Sequence, residues 1–402
     1  MFTRKVRSRI FLLVLLALAG LQYRYYVQWK PSFLCFAKDE CGTQLAGKNT
    51  AIKHRKMTSK AHLKQQQLQQ QTPEKSEPPR GECDFDDNHI MDIVQVQPPP
   101  MAEAENKTPQ PRILCYILTS SVQHDQVKLV LQTWGPKCDG FFVASNLTDP
   151  SIHAVAIPNT RHDYLFLFEK HCATLRYMHE HGYLEQYDWF FKTDTDTYLI
   201  MENLKAYLMS DAVQSRHPLQ RPLMIGRLMS KRGNIKTRKY QFIPVSLREE
   251  FLRRSLKGTM IYTSGAGYAM NKVFMQRIIP MLDTDECLQN QTKSEDVYMG
   301  FCYLFMFTNA ELSDRPVVHL NARDEQDRER FHIETPSITY DLKDSYLFWH
   351  RRSHNENLLG ILNTGPKAIS NSTIAFHHLT DDGLLSMHKQ LFYCREKGNR
   401  TV

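Results

Sequence analysis

The chain has 402 residues, 42% of them hydrophobic and 23% charged, with a formal net charge of +8. That balance belongs to a globular protein and excludes a wholly disordered or fibrous one. The basic excess is confined to the N-terminal region. Met1–Lys75 carries 14 Lys and Arg against 3 Asp and Glu, leaving 37 against 40 in the remainder. The near-neutral balance of the remainder argues against a nucleic-acid surface on the folded part.

Residues 1–9, with Arg4, Lys5, Arg7 and Arg9, read as a cytosolic tail. The apolar stretch Ile10–Leu21 follows, then Gln22–Trp29 with three tyrosines and a tryptophan. A basic flank before a short apolar core is a targeting signal. The core is shorter than the ~20 residues of an ordinary spanning helix, but the aromatics suit a membrane interface. We expect a transmembrane signal-anchor over 10–29 with its basic end in the cytosol, a cleaved signal peptide being the alternative. Residues 30–110 hold the tract Gln65–Gln71, then Pro73, Pro78, Pro79 and Pro98–Pro100. Low hydrophobicity with Pro and Gln enrichment predicts a disordered stem.

From residue 111 to the end the pattern is that of a folded domain. Strands are predicted at Ile113–Leu118, Phe141–Ala144, Ala154–Ile157 and Trp189–Phe191, and a short one at Leu223–Ile225. Helices are predicted at Gln126–Thr133, Asp163–His181 and Met201–Leu208. In the second of these Leu165, Phe168, Cys172 and Leu175 share one face. Strands alternating with helices imply a mainly parallel α/β sheet. Residues 227–257 read as an irregular basic segment, and Ile261–Met270, with Gly265 and Gly267, as a tight turn before a helix at Lys272–Leu282. Ser294 reads as an N-cap, with Glu295 and Asp296 in the first turn, where the helix dipole favours carboxylates. Arg323–His332 reads as a charged surface turn and Tyr346–Trp349 as core. A strand at Thr373–Phe376 ends at His377 and His378, and Asp382–Phe392 closes the domain as a helix.

Nine cysteines occur with no C-x-x-C pair, which disfavours a zinc ribbon or a thioredoxin-like motif. Asn-x-Ser/Thr sequons, among them Asn106, Asn146, Asn290 and Asn371, join the N-terminal signal in favouring a luminal, glycosylated and disulfide-bonded chain.

The chemistry-bearing stretch is Asp188–Tyr198. The apolar run Trp189–Phe191 stops at Asp194 and Asp196, one residue apart. Ligands of open α/β sheets bind at the carboxyl ends of the strands. Two carboxylates that close repel unless a cation lies between them or one holds a proton. A divalent cation carrying a diphosphate satisfies both.

In their order along the chain, several stretches resemble the inverting β1,3-glycosyltransferases that include fringe and the β1,3-galactosyltransferases. They are Arg112–Thr119, Thr133 and Trp134 with Cys138, Tyr177–His181, Asp188–Tyr198, Ser264–Tyr268, Glu295–Val297, Arg328–His332 and Phe376–His377. Within that group the match is to the core 1 β1,3-galactosyltransferase family. The resemblance implies a GT-A fold over 111–402: one Rossmann-like, nucleotide-sugar-binding catalytic domain behind a membrane anchor and stem. It implies a type II Golgi membrane protein that uses Mn²⁺ and transfers galactose from UDP-galactose to GalNAc-O-Ser/Thr of a glycoprotein acceptor. Members often form homodimers, which adds a second copy of the chain to the implied partners.

Carried over by position, Asp194, Asp196 and His377 become metal ligands and Asp296 the catalytic base. Thr119, Asp194 and Thr195 become nucleotide-sugar contacts, and Gly265, Tyr268 and Trp349 acceptor contacts. Cys115–Cys138 and Cys287–Cys302 become disulfides. The chain departs from the family at Thr195, at Phe168–Glu169, at Leu347 and in the length of 227–257. These departures motivate one alternative, a related β1,3-glycosyltransferase with another donor or acceptor (fringe-like or acting on glycolipid); the resemblance itself raises a less favoured one, a non-catalytic chaperone-like homologue.

Overall fold

The structure, a computed structural model, describes residues 88–98, 110–161, 163–215, 221–232, 245–256, 258–287, 294–308, 320–342, 359 and 361–394. The expected tail, anchor and most of the stem lie outside the described residues, as do Asn106, Asn290, Leu347 and Trp349. The chain divides between Pro78 and Pro79, and every described residue belongs to the second part. Among the described residues no helix is long and apolar enough to cross a membrane.

A six-stranded sheet runs in the order β3-β2-β1-β4-β7-β6. Its strands are β1 Ile113–Leu118, β2 Gly140–Ser145, β3 Ala154–Ala156, β4 Trp189–Thr193, β6 Met224–Arg232 and β7 Thr259–Asn271. Both faces of β1 and β4 are buried along their whole length, which is why Ile113–Leu118 and Trp189–Phe191 are near-continuous apolar runs and do not alternate. β1, β2, β3 and β4 are mutually parallel, whereas β7 runs antiparallel to both β4 and β6. Five of the six strands therefore run in one direction and β7 alone opposes them, so the sheet is mainly parallel, as the sequence pattern predicts, with one antiparallel member, and it fits the GT-A-like domain that the resemblance implies.

The antiparallel member, β7, is the element that the sequence pattern does not predict. Ile261–Met270 is no turn but part of a 13-residue strand that passes through both glycines. Gly267 sits at φ +84°, and a Cβ there would meet the Phe191 ring at 2.7 Å. Only glycine allows both that backbone conformation and that approach. The segment 227–257 is likewise more regular than expected, since β6 continues to Arg232 and a helix spans Arg248–Arg254.

A second sheet, in the order β5-β9-β8, comprises β5 Tyr198–Leu199, β8 Phe331–His332 and β9 Ala375–Phe376. Arg323–His332 is a surface turn only at its tip, where Glu325, Gln326 and Asp327 are exposed. Arg323, Asp324, Arg330 and His332 are buried, because their charges pair: Arg323 with Glu329, Arg328 with Asp324, and Arg227 with Glu329. Charged side chains go inside when they are paired and hydrogen-bonded.

Six helices matter to the site. They are α1 Asn88–Met91, α2 His124–Gln132, α3 Leu167–Glu180, α4 Met201–Leu208, α5 Lys272–Met281 and α6 Glu295–Met306. Phe168, Cys172 and Leu175 of α3 are fully buried. Leu165 is exposed instead, because it falls in a preceding 3-10 turn that does not continue the α-helical face. α6 lies across β7 so closely that a Cβ on Gly300 would meet Tyr262 Cβ at 2.4 Å. The disulfides Cys115–Cys138 and Cys287–Cys302 are both formed, and Cys172 is a buried free thiol.

Residues 88–98 fall in the stretch read as stem, yet they belong to the core. Ile90, Met91 and Val94 are buried. The Gln95 amide donates to the Asn371 carbonyl, and Asn203 Nδ2 donates to the Gln95 carbonyl. Burying an aliphatic side chain contributes about 1.5–3 kcal/mol. A chain beginning at Gln110 should thus be less stable than one beginning at Gly81 by about 5 kcal/mol. Denaturant unfolding of the two measures the difference, and equal midpoints would show that the strap is dispensable.

Candidate active site

The strand order reverses between β1 and β4. β2 and β3 lie on one side of β1, and β4 lies on the other. The carboxyl ends of two strands that flank such a switch form a crevice. Ile117 pairs with Thr193 in register, so Thr119 and Asp194 leave the sheet side by side. Thr119 is nearly buried. Its amide donates to the Ala144 carbonyl, and its own carbonyl accepts from Lys170 Nζ. Burial lowers the Lys170 pKa to about 8.

After β4 the chain turns through Asp194–Thr197 into β5. The Thr197 amide closes the turn on the Asp194 carbonyl, and Trp134 Nε1 donates to the Thr197 carbonyl. Thr195 is buried and donates to Gln126 Oε1 of α2 at 3.0 Å. β5 then pairs antiparallel with β9, Tyr198 opposite Phe376. That pairing carries His377 and His378 to the turn from the far end of the chain, and the Leu379 amide fixes them by donating to the Asp196 carbonyl.

Asp196, His377 and His378 each offer a ligand atom, and the three atoms lie within 4.8 Å of one another. His377 Nε2 is 3.1 Å from Asp196 Oδ1 and 3.9 Å from Asp194 Oδ2. Burial would raise the Asp196 pKa, but the hydrogen bond and charge of His377 outweigh it and hold it below the usual value. The His378 ring stacks on His377 at 4.0 Å and meets Glu334 Oε2 at 3.2 Å, a contact that raises its pKa. One carboxylate and two imidazoles in reach of solvent are a donor set that fits a divalent cation. The expected ligands Asp196 and His377 are together. Asp194 stands slightly apart, with Oδ1 held by Lys192 Nζ at 3.0 Å, and His378 joins the group in a role that the sequence reading passed over. A Cβ on Gly265 would lie 3.5 Å from His377 Cε1, which puts Gly265 beside the cluster.

Beneath the cluster is a buried polar network. Tyr116, Lys192 and Tyr268 stand in one row across β1, β4 and β7. Glu295, at the start of α6, comes down on that row. Its Oε1 accepts from Tyr268 Oη and from His171 Nδ1 at 2.5 Å, and its Oε2 lies 3.2 Å from Lys192 Nζ. His171 Nε2 pairs with the Tyr116 hydroxyl at 2.6 Å. Burial would push the Glu295 pKa up, but Lys192, His171 and Tyr268 outweigh it and hold it far below the usual carboxylate range. Burial would lower the Lys192 pKa, but Asp194 and Glu295 hold it well above the ordinary value. The next residue, Asp296, is only partly buried. Burial, with the negative charge of Glu295 added, pushes its pKa up to about 6.

Glu295 was read from the sequence as a capping residue, but Ser294 makes no side-chain cap and Glu295 is 2% exposed. An acidic pair at a helix start resembles ordinary dipole compensation, so only the tertiary partners reveal the difference. Tyr268, implied as an acceptor contact, is fully buried with its hydroxyl given to Glu295. A side chain without accessible surface touches no acceptor in this structure. Asn146 is exposed, and Asn371 is partly buried with its Oδ1 accepting from Arg328.

An α/β sheet with a carboxylate–histidine cluster beside its switch point has the layout of a fold that binds ligands at the carboxyl ends of its strands. The model of the Fringe-like family matches residues 112–361, well over half of the chain. The chain belongs to this family, and with it to the fringe and β1,3-galactosyltransferase group of glycosyltransferases. It is 24% identical over 298 residues to glycoprotein-N-acetylgalactosamine 3-beta-galactosyltransferase 1 of Xenopus laevis, covering 73% of this chain and 70% of the relative. It is also 28% identical over 155 residues to chondroitin sulfate synthase 3 of Homo sapiens, and the same to that of Mus musculus. That match covers 38% of this chain and 15% of each synthase.

Replacing Asp196 by Asn, or His377 by Ala, should weaken Mn²⁺ binding by more than the ~10–100-fold that loss of an outer-shell partner costs. Titration followed by the electron paramagnetic resonance of the free ion measures it, and unchanged affinity in both variants would remove the cluster as a metal site.

Proposed function

We propose that the protein is an inverting β1,3-galactosyltransferase that moves galactose from UDP-galactose to the 3-hydroxyl of GalNAc-O-Ser/Thr. The observation that carries this reading is the gathering of Asp196, His377 and His378 at the switch-point crevice, with Asp296 on a helix tied to the same strand that bears Asp194. The similarity to the Xenopus laevis galactosyltransferase supports the donor and the acceptor class. A membrane anchor at 10–29 would make it a type II protein with a luminal domain, and the family resemblance points to the Golgi.

Inversion needs one in-line displacement. Asp296, ionised, accepts the proton of the acceptor hydroxyl as that oxygen bonds to the anomeric carbon. The bond from the anomeric carbon to UDP breaks on the opposite face, and the diphosphate leaves with the electron pair. A carboxylate with a pKa of about 6 is ionised at neutral pH and still more basic than an ordinary aspartate. Asp196, His377 and His378, with Asp194 beside them, would hold Mn²⁺, which when bound neutralises the charge gained by the leaving diphosphate. Thr119 and Thr195 line the nucleotide side of the crevice in this reading, and Gly265 leaves room beside His377 on the acceptor side. No covalent nucleophile is required. A chaperone-like role finds less support, because Asp194, Asp196, Asp296 and His377 are all retained in the chain.

Transfer to GalNAc-peptide should occur with UDP-galactose and Mn²⁺ and stop with a chelator. Asp296→Asn should lower kcat by roughly 10²–10⁴-fold. Because burial raises the Asp296 pKa, base activity is lost as pH falls through about 6. At pH 5 about a tenth of kcat/KM should remain. Turnover with only another UDP-sugar or another acceptor, in a panel assayed by UDP release, would move the reading to a relative of altered specificity.

A further inference from the structure

Glu295 is a charged side chain with almost no accessible surface, yet all its partners are protein groups from three separate elements. Tyr268 comes from β7, His171 from α3 and Lys192 from β4. Each donor is itself buried. A carboxylate satisfied this way is stiff, because moving it leaves one or more buried donors unpaired at a cost well above that of an exposed bond. The same Lys192 ammonium also holds Asp194 Oδ1. One cation therefore ties the carboxylate nearest the metal cluster to the first turn of the helix that carries Asp296.

Successive helix residues point about 100° apart. With Glu295 anchored in the core, Asp296 is turned outward, and it is the partly exposed member of the pair. Gly300, one turn and a half further on, lets α6 lie directly on β7, so the helix is held at both its start and its middle. We propose that Glu295 is a positioning residue of the transfer reaction: by clamping the first turn of α6 to Lys192, Tyr268 and His171, it fixes Asp296 relative to the Asp194–Asp196 edge. This rests on the reading of Asp296 as the base.

The clamp also sets the charge around the base. The groups that face Asp296 electrostatically are Glu295 on its own helix, Lys192 and Asp194 of the β4 edge, Tyr268 on β7 and Tyr164 ahead of α3. Neutralising Glu295 removes a like charge and leaves Lys192, so the acid limb of activity moves to lower pH.

The test uses the full-length chain with four measurements: thermal stability, UDP binding in the presence of Mn²⁺, kcat and KM for both substrates, and the pH profile. Glu295→Gln should fold and bind UDP within about threefold of the parent, with both KM values similarly preserved. Its kcat should fall by about 10²-fold, as a base displaced by about 1 Å would cause, and its acid limb should shift downward. Tyr268→Phe, which keeps the ring and removes one donor, should lose up to about tenfold in kcat with UDP binding intact. If Glu295→Gln does not fold, Tyr268→Phe decides: lower kcat with normal UDP binding supports the clamp, and no change overturns it. A folded Glu295→Gln with unchanged kcat and unchanged acid limb overturns it, as does loss of UDP binding in proportion to kcat, which would mark a structural role alone. Asp296→Asn in the same assays separates the two ideas, since retained activity there sinks the base assignment whatever Glu295 does.

Discussion

One buried ammonium governs the centre of this molecule. Lys192 sits in the middle of the sheet, where an unpaired charge would be prohibitively costly, and it is stable there only because Asp194 and Glu295 face it. Removing either partner leaves the ammonium with a single carboxylate, and removing both would leave it uncompensated, a situation that costs about 3–5 kcal/mol in comparable buried pairs. The fold must therefore bring the end of β4 and the start of α6 to the same point. Those two places carry the metal-side aspartates and the candidate base, so the electrostatic demand of one lysine and the geometry of the site are the same constraint.

Two local devices support that meeting. Gly267 and Gly300 remove side chains where β7 approaches β4 and where α6 approaches β7. The disulfides act at the margins of the same elements. Cys115–Cys138 joins β1 to the segment that enters β2, and Cys287–Cys302 joins the segment before α6 to its middle turns. Each closes a loop and lowers the entropy of the unfolded chain. The small second sheet does the remaining work, since the pairing of β5 with β9 alone brings His377 and His378 to Asp196 across some 180 residues of sequence.

Much of this was legible beforehand. β1 and α4 have the limits that apolar periodicity predicted, and β2, β4, α2 and α5 differ only at their ends. Asp194 and Asp196 stand at the end of a buried strand, as the abrupt stop of the run Trp189–Phe191 implied. The misreadings share a cause. Ile261–Met270 was taken for a turn because glycine is the usual mark of one, whereas here it serves close packing within a strand. Arg323–His332 reads as surface throughout because charge usually means solvent, whereas only its tip is exposed and the flanking charges pair with one another. Residues 88–98 read as stem because their five apolar residues stand in a stretch rich in proline and glutamine and cannot bury themselves without a surface supplied from elsewhere.

The sequence by itself determined the local facts: that the apolar runs at Ile113–Leu118 and Trp189–Phe191 are strands, where a buried strand gives way to aspartates, which helix begins with Glu295 and Asp296. Periodicity and turn chemistry are short-range and can be read in one dimension. Only the tertiary structure decided that Glu295 faces inward and Asp296 outward, that Lys192 joins two acidic groups a hundred residues apart, and that His378 stands with His377 and Asp196. Those choices depend on which side chains from distant elements share one buried volume. The cost of leaving any of them unpaired there is set by the low local dielectric, which no single stretch of sequence records.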